Sequence, residues 1–375
     1  MRYHYLDTLR AGLMLYGVFL HGALPYTTQG GWLLADAGRH PVFDLIVYAN
    51  NQFRMPAFFL IGGFFSWSAL RSKGAGSHVR ERLIRIAIPL VVTALVINLS
   101  QSWILSTLGV VRFPAHYVGG GWNAHLWFLV DLLIYCLAVA AVWPVVQHWN
   151  LRGWLRLDGW RVYLLPLFSM ACLKLGYCLV PSRRMGGIDL WEVFQYAPFF
   201  LAGMVWARSL ACGHSLVGLA NLCVLLGLGV VGELSDSLPH VADVYASAAL
   251  RWSTAFLCIV AFQRFANFES KLVKTISASS YTVYLFHHII VVLVAGALLS
   301  VTLPPALKFL IVVASAFAGG FLIHSYAIRR VRFLEFLFNG KYPGRGRLDG
   351  RQGRKDKCRP ISAQPAFVPA RGNVQ

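Results

Sequence analysis

Residues 277–300 read SASSYTVYLFHHIIVVLVAGALLS, 24 positions without Asp, Glu, Lys or Arg. A helix rises about 1.5 Å per residue, so about 20 apolar residues span the hydrocarbon core of a bilayer. This run is long enough to cross. Its apolar residues do not alternate with polar ones, as the strands of a membrane β-barrel must. Yet it carries Tyr281, Tyr284, His287 and His288, and ionisable groups are expensive at that depth and point to function.

Working outward, nine more runs of this kind are found, at 9–26, 47–69, 84–106, 125–143, 161–180, 191–209, 214–232, 244–263 and 305–327. The chain is therefore predicted to be all-α, a polytopic membrane protein with about ten transmembrane helices. Composition agrees. Of 375 residues 57% are hydrophobic and only 13% charged, against about 45–50% and 25% in soluble domains. Mean hydropathy is +0.58. Disorder, a disulfide scaffold and a soluble enzyme are excluded. The first run contains Arg10 and lacks an A-x-A cleavage site, so it is expected to be retained and not removed as a signal peptide.

Net charge is +19, but the basic residues lie in short loops and one tail, so no nucleic-acid partner is implied. Alternate loops hold 25 Lys and Arg in one set, against Arg39, Arg112, Arg183 and Arg184 in the other. By the positive-inside rule both termini are cytoplasmic. Residues 341–375 are basic and read as a disordered cytoplasmic tail following a membrane domain over 1–340. The tail is either a plain positive-inside segment or one drawn to anionic membrane lipid. Seven cysteines occur without CxxC or CxxH spacing, so neither a metal nor a disulfide is expected.

The intramembrane polar residues fall into two layers. Arg10 lies eleven residues before His21, about 16 Å along a helix. Arg10, Arg82 and Arg85 sit at the cytoplasmic border, where they either anchor the helices or clamp a phosphate-bearing ligand. His21, Arg54, His125, Asp131 and His287 or His288 lie from the midplane outward, where proton transfer to or from a hydroxyl is the chemistry they suit. Arg54 follows the polar run Asn50-Asn51-Gln52, which argues for a hydrated cavity. Asp131 needs a partner, and Arg54 or a histidine would serve. Trp127 reads either as interfacial belt or as a sugar-stacking platform. Adjacent histidines diverge by about 100° on a helix, so one of His287 and His288 is expected to face the cavity and the other a neighbouring helix. Gly62-Gly63 reads as a close helix contact.

The ordered segments LDTLRAGLMLYGVFLH (6–21), FRMPAFFLIGGFFS (53–66), RERLIRIAIP (80–89), HLWFL (125–129), YAPFFLAG (196–203), SASSYTVYLFHH (277–288) and FLEFLFNGK (333–341) resemble the membrane-bound acyltransferase 3 family, and within it the branch that succinylates osmoregulated periplasmic glucans. The family pattern has Ser-Gly where this chain has Gly62-Gly63. The resemblance implies an O-acyltransferase of the bacterial inner membrane. It would move an acyl group, succinyl in this branch, from cytoplasmic acyl-CoA to glucan hydroxyls, with acyl-CoA as co-substrate and no cofactor. His21 is then the general base. Arg10, Arg82 and Arg85 hold CoA phosphates, and Arg54 holds the succinyl carboxylate or the oxyanion. Asp131 and His287 complete the catalytic set, and His125 and Trp127 meet the acceptor. Contact with glucan-synthesising membrane proteins is a further implied expectation. Two other readings fit the same residues: O-acetylation of another envelope polysaccharide, and a transporter or flippase. A purely structural scaffold would leave the buried histidines and arginines unexplained.

Overall fold

The computed structural model describes residues 4–30, 32–147, 159–211, 218–235, 237–268 and 270–341. The basic tail expected beyond residue 341 lies outside the described residues, as do Arg2, Arg152, Arg156 and Cys212. Helices dominate. They are α1 (His4–Ala23), α2 (Pro41–Arg82), α3 (Ile88–Thr93), α4 (Leu99–Thr107), α5 (Trp127–Val146), α6 (Leu164–Leu179), α7 (Leu190–Ala211), α8 (Leu219–Glu233), α9 (His240–Phe265), α10 (Lys271–Leu298), α11 (Pro305–Leu322) and α12 (Arg332–Asn339). The sheet among the described residues is one short hairpin, β1 (Arg184–Met185) antiparallel to β2 (Ile188–Asp189).

Among the described residues six helical stretches are long and apolar enough to cross a membrane: Pro41–Thr107, Tyr117–Val146, Gly159–Leu179, His240–Phe265, Lys271–Leu298 and Pro305–Ile328. The first of these holds two of the apolar runs. The runs at 47–69 and 84–106 are joined by helix, and the chain turns between them at Gly74, whose φ of +77° is left-handed. Glycine takes that conformation without a Cβ clash. Wider π turns at Leu83–Ala87 and Ala94–Asn98 link the segment after Gly74 with α3 and α4 into one rod.

Some helix ends have a local cause. Pro41 opens α2 with its ring pre-set for the first turn, and the His40 side chain accepts the Val42 N–H at 3.2 Å. Ser270 caps α10 by accepting from Leu272 N–H at 3.2 Å. Gly340 closes α12 in the left-handed conformation.

Helix α2 is central, packing along α7, α9, α1 and α5. Gly63 and Gly203 allow the closest approach. A Cβ on Gly63 would run into the carbonyl oxygen of Phe200, and one on Gly203 into that of Leu60. The close-contact reading of Gly63 is therefore what the helix pair uses.

Prolines inside the helices release carbonyls that other helices take up. Pro56 has no N–H for Gln52 four residues back, and the Thr254 hydroxyl of α9, which donates to its own Leu250 carbonyl at 2.6 Å, lies 3.3 Å from that freed oxygen. Pro89 likewise leaves Arg85, and the Tyr281 hydroxyl of α10 donates to that carbonyl at 3.3 Å. Two elements that bear candidate residues, α2 and the rod after it, are thus tied to α9 and α10 by defects in their own ladders.

Candidate active site

Four histidines from three parts of the chain meet in the interior. His21 comes from α1, four residues after Gly17. His125 comes from a short 3-10 turn before α5, and His287 and His288 from α10. Ring centroids stand 5.1 Å apart for His21 and His287, 4.8 Å for His21 and His288, 5.2 Å for His125 and His287, and 4.9 Å for His125 and His288. His125, His287 and His288 are buried, whereas His21 keeps partial exposure.

His287 and His288 diverge as expected, yet the divergence does not separate them. Both rings reach the same cluster. Their centroids are 6.2 Å apart at 89°, so they do point apart, but His21 and His125 arrive from other helices and each bridges the gap between them. Only Nδ1 of His288 turns to a neighbouring helix, donating to Gln101 Oε1 of α4 at 2.7 Å.

Hydrogen bonds set the tautomers. A carbonyl only accepts, so the 2.6 Å contact of His287 Nδ1 with the Tyr284 carbonyl requires Nδ1–H. In the neutral ring this leaves Nε2 as a lone pair, and that atom is buried without a hydrogen-bond partner. Through Gln101, His288 is likewise protonated on Nδ1. Trp32 stands edge-on to His288 at 5.8 Å. Tyr284 also donates its hydroxyl to the His125 carbonyl. His125 follows Ala124, whose φ of +31° is disfavoured for a residue with a Cβ. The turn is held from several sides: Asn98 donates to the Trp122 carbonyl at 2.8 Å, and Trp122 Nε1 donates to the Gly186 carbonyl of the β1–β2 hairpin at 2.8 Å.

Arg54 borders the cluster. Its Nε donates to Asn50 Oδ1 at 2.7 Å, and Asn50 donates to the Tyr16 carbonyl at 3.3 Å. A Cβ on Gly17 would meet Arg54 Nη1 at 2.6 Å. The missing side chain on α1, one turn before His21, therefore makes the space that the guanidinium fills. Arg54 acts electrostatically on both His21 and His287.

Asp131 does not pair with Arg54 or a histidine, which corrects the expected partnership. Its Oδ2 is buried without a hydrogen-bond partner, and the charges acting on it are Glu192 and Asp189. The reason is the face it occupies. Asp131 lies one turn after Trp127 on α5, and Trp127 packs on Tyr196 of α7 at 5.7 Å. Asp189 is engaged elsewhere. It accepts from Arg183 Nε at 2.7 Å and from the Trp191 N–H at 3.1 Å, capping α7. The Asp189 carboxylate accordingly raises the Arg183 guanidinium above its ordinary value.

The second layer lies at the other end of α1. Arg10 is within electrostatic range of Asp7, Arg82, Arg85 and Tyr281. Arg82 Nε is buried without a hydrogen-bond partner. Arg85 is 61% exposed and 3.5 Å from Glu81, which Lys73 also holds at 2.9 Å.

Several residues beside the site were not singled out from sequence. Gln101, Trp32 and Gly17 border the histidines or Arg54. One of them had a readable signal: Asn98, Gln101 and Ser102 stand three and four residues apart on one face of an apolar run.

Similarity to known proteins agrees with this geometry. The chain is 24% identical over 369 residues to glucans biosynthesis protein C of Escherichia coli (strain K12), covering 91% of this chain and 95% of that protein. It is 23% identical over 377 residues to the protein of the same name from Salmonella schwarzengrund (strain CVM19633), covering 91% and 96%. No solved structure matches the chain. A model of the acyltransferase domain family, acyltransferase 3, matches residues 3–325, a stretch holding every candidate residue described above; the chain belongs to that family and is a membrane acyltransferase.

Proposed function

We propose that the protein transfers a succinyl group from cytoplasmic acyl-CoA to hydroxyls of a periplasmic glucan, in the bacterial inner membrane. In this reading the chain crosses ten times with both ends inside. The observation that carries the proposal is the cluster of four imidazoles bordered by Arg54, with an arginine layer at the opposite end of α1. The names of the relatives supply the glucan.

His21 is the base. It touches both His287 and His288 and is the one member of the cluster that keeps some exposure. A ring nitrogen takes the proton of the acceptor hydroxyl as its oxygen attacks the thioester carbon. The carbon–sulfur bond then breaks, and CoA leaves as a thiolate that takes up a proton. Arg54 faces the negative charge that develops on the carbonyl oxygen, or the free carboxylate of a succinyl group. Arg10, Arg82 and Arg85 bind the CoA phosphates from the inner side, where guanidinium groups suit phosphate geometry.

The test is a donor and acceptor panel with the full chain in lipid nanodiscs. Succinyl-CoA and acetyl-CoA are each offered with a β-glucan or an unrelated polysaccharide, and free CoA and acylated glycan are measured. Succinylated glucan formed with stoichiometric CoA supports the reading. Acetylated product on another polysaccharide would replace it.

A further inference from the structure

The chain between α1 and α2 is fastened by a buried ion pair. Lys308 Nζ of α11 donates to Asp36 Oδ2 at 2.6 Å, and the two side chains are 5% and 3% exposed. The other carboxylate oxygen is also used: Oδ1 accepts the Gly38 N–H at 2.8 Å. Leu34 and Asp36 are buried while Ala35 and Ala37 are exposed, so the extended chain lays one face on the protein. Backbone bonds tie the same stretch to the residues just after His21. Asp36 N–H donates to the Pro25 carbonyl at 2.9 Å, and His40 N–H to the Tyr26 carbonyl at 3.0 Å. Gly38 lies so close to α11 that a Cβ on it would meet Pro305 Cγ at 2.7 Å.

A buried ion pair is a costly fastener. Removing both charges from water takes free energy that their attraction barely offsets, and apolar side chains of similar size often hold two segments as well or better. What the pair adds is direction, which apolar contact lacks. Direction matters because of what this stretch carries. Trp32, four residues before Asp36, stands edge-on to His288 with centroids 5.8 Å apart. Leu34, between them, lies against α10, where a Cβ on Gly296 would touch it at 3.7 Å. His288 is itself fixed through Nδ1 by Gln101 at 2.7 Å, and its ring meets that of His21 at 4.8 Å. Trp32 is half-buried and His288 is 3% exposed.

We propose that Asp36 and Lys308 are a positioning pair for acyl transfer: they hold residues 32–40 so that Trp32 covers the His288 side of the histidine cluster and keeps water from the acyl donor. The inference deepens the acyl-transfer reading and rests on it. Water can replace a sugar hydroxyl as the nucleophile on a thioester. Its oxygen then bonds to the acyl carbon, the carbon–sulfur bond breaks, and the proton of the water passes to the leaving sulfur. The products are a free carboxylic acid and CoA, and the acceptor stays unmodified. A centre that holds its donor while a large acceptor arrives must shut water out in the interval. A ring at the edge of the cluster does this only while its stretch of chain stays in place, and the ion pair fixes that stretch four residues away.

The experiment compares the full wild-type chain in nanodiscs with two variants. Trp32→Ala removes the ring alone. Asp36→Asn with Lys308→Met removes both charges yet leaves an oxygen to accept the Gly38 N–H. One readout needs no substrate: modification of His288 by diethyl pyrocarbonate, which reacts with an accessible unprotonated ring nitrogen, followed by peptide mass spectrometry with exposed His240 as the reference. The other is CoA released from succinyl-CoA and acetyl-CoA with and without β-glucan. Both variants are expected to speed His288 modification by about tenfold and to lower kcat for transfer by a similar factor, as loss of placement implies. Glucan-independent CoA release should rise, with donor KM unmoved. Trp32 is half-buried in a connection, so Trp32→Ala reports even if the charge-free double variant folds poorly. Unchanged His288 modification and coupling in folded Trp32→Ala overturn the inference. A folded double variant that matches wild type, or one altered in thermal midpoint alone, removes the pair from it. Faster modification with no gain in glucan-independent release, where the wild type transfers, also overturns it. Faster His288 modification in both variants, with no CoA release by any chain, would keep the placement of Trp32 and sink the acyl-transfer reading instead.

Discussion

The two ends of α1 differ in how tightly their polar groups are held. At the histidine end each ring touches at least two others, and two rings have one nitrogen fixed by a backbone carbonyl or an amide. At the arginine end Arg85 is 61% exposed and shares Glu81 with Lys73, and Arg82 Nε has no hydrogen-bond partner. The first arrangement is set before any substrate arrives, which is what a proton transfer needs, since its rate falls steeply with misplacement. The second is open and loosely engaged, which suits a patch that captures a mobile, highly charged ligand. Changes at the two ends should therefore read out in different kinetic constants.

The largest effect is expected at His21. His21→Ala should lower kcat by about 10²–10⁴-fold, the usual worth of a general base, while acyl-CoA KM stays near wild type. A donor KM that rises with the loss of kcat would erase the distinction between the two ends. Next, Arg82→Ala combined with Arg85→Ala should raise acyl-CoA KM by about 10- to 100-fold, as loss of charge-assisted hydrogen bonds implies, with kcat unchanged at saturating donor. A rise in glucan KM alone would place these arginines in the wrong role. Gly17→Ala probes the border between helices. Its Cβ would displace the end of the Arg54 side chain, 2.6 Å away, which can move, so we expect about a tenfold lower kcat with little change in thermal midpoint. A large loss of stability instead would show that Gly17 serves packing. The smallest effect belongs to Gln101→Leu, which removes the acceptor for His288 Nδ1. About a fivefold fall in kcat is expected, recovered in part by Gln101→Glu, which restores an acceptor.

The sequence disclosed more of the fold than of the site. Among the described residues the apolar runs lie almost wholly on helix, because a run of about 20 apolar residues has few other stable states in a bilayer. It could not disclose that helix resumes over residues 75–82 after the turn at Gly74, since a short polar helix there needs no apolar composition. His21, Arg54, His125 and the His287-His288 pair were readable as ionisable groups in apolar runs. Which of them meet was not, because helical periodicity gives the face of one helix and says nothing about which helix lies opposite. The expected partner of Asp131 failed for this reason: α5 turns that face toward α7, and the carboxylate meets Glu192 and Tyr196. The Pro56 and Pro89 ties show the same limit. A proline predicts a freed carbonyl, but only the packing shows that Thr254 and Tyr281 lie beside it.

The most direct measurement is glucan-dependent release of free CoA from succinyl-CoA by the wild-type chain and by His21→Ala, each folded in nanodiscs and each able to bind the donor. The prediction is release that requires glucan in the wild type and falls at least about 100-fold in the variant, with donor binding retained. Equal release by the variant would remove His21 from the chemistry, and no release by the folded wild type from succinyl-CoA would contradict the proposed succinyl transfer.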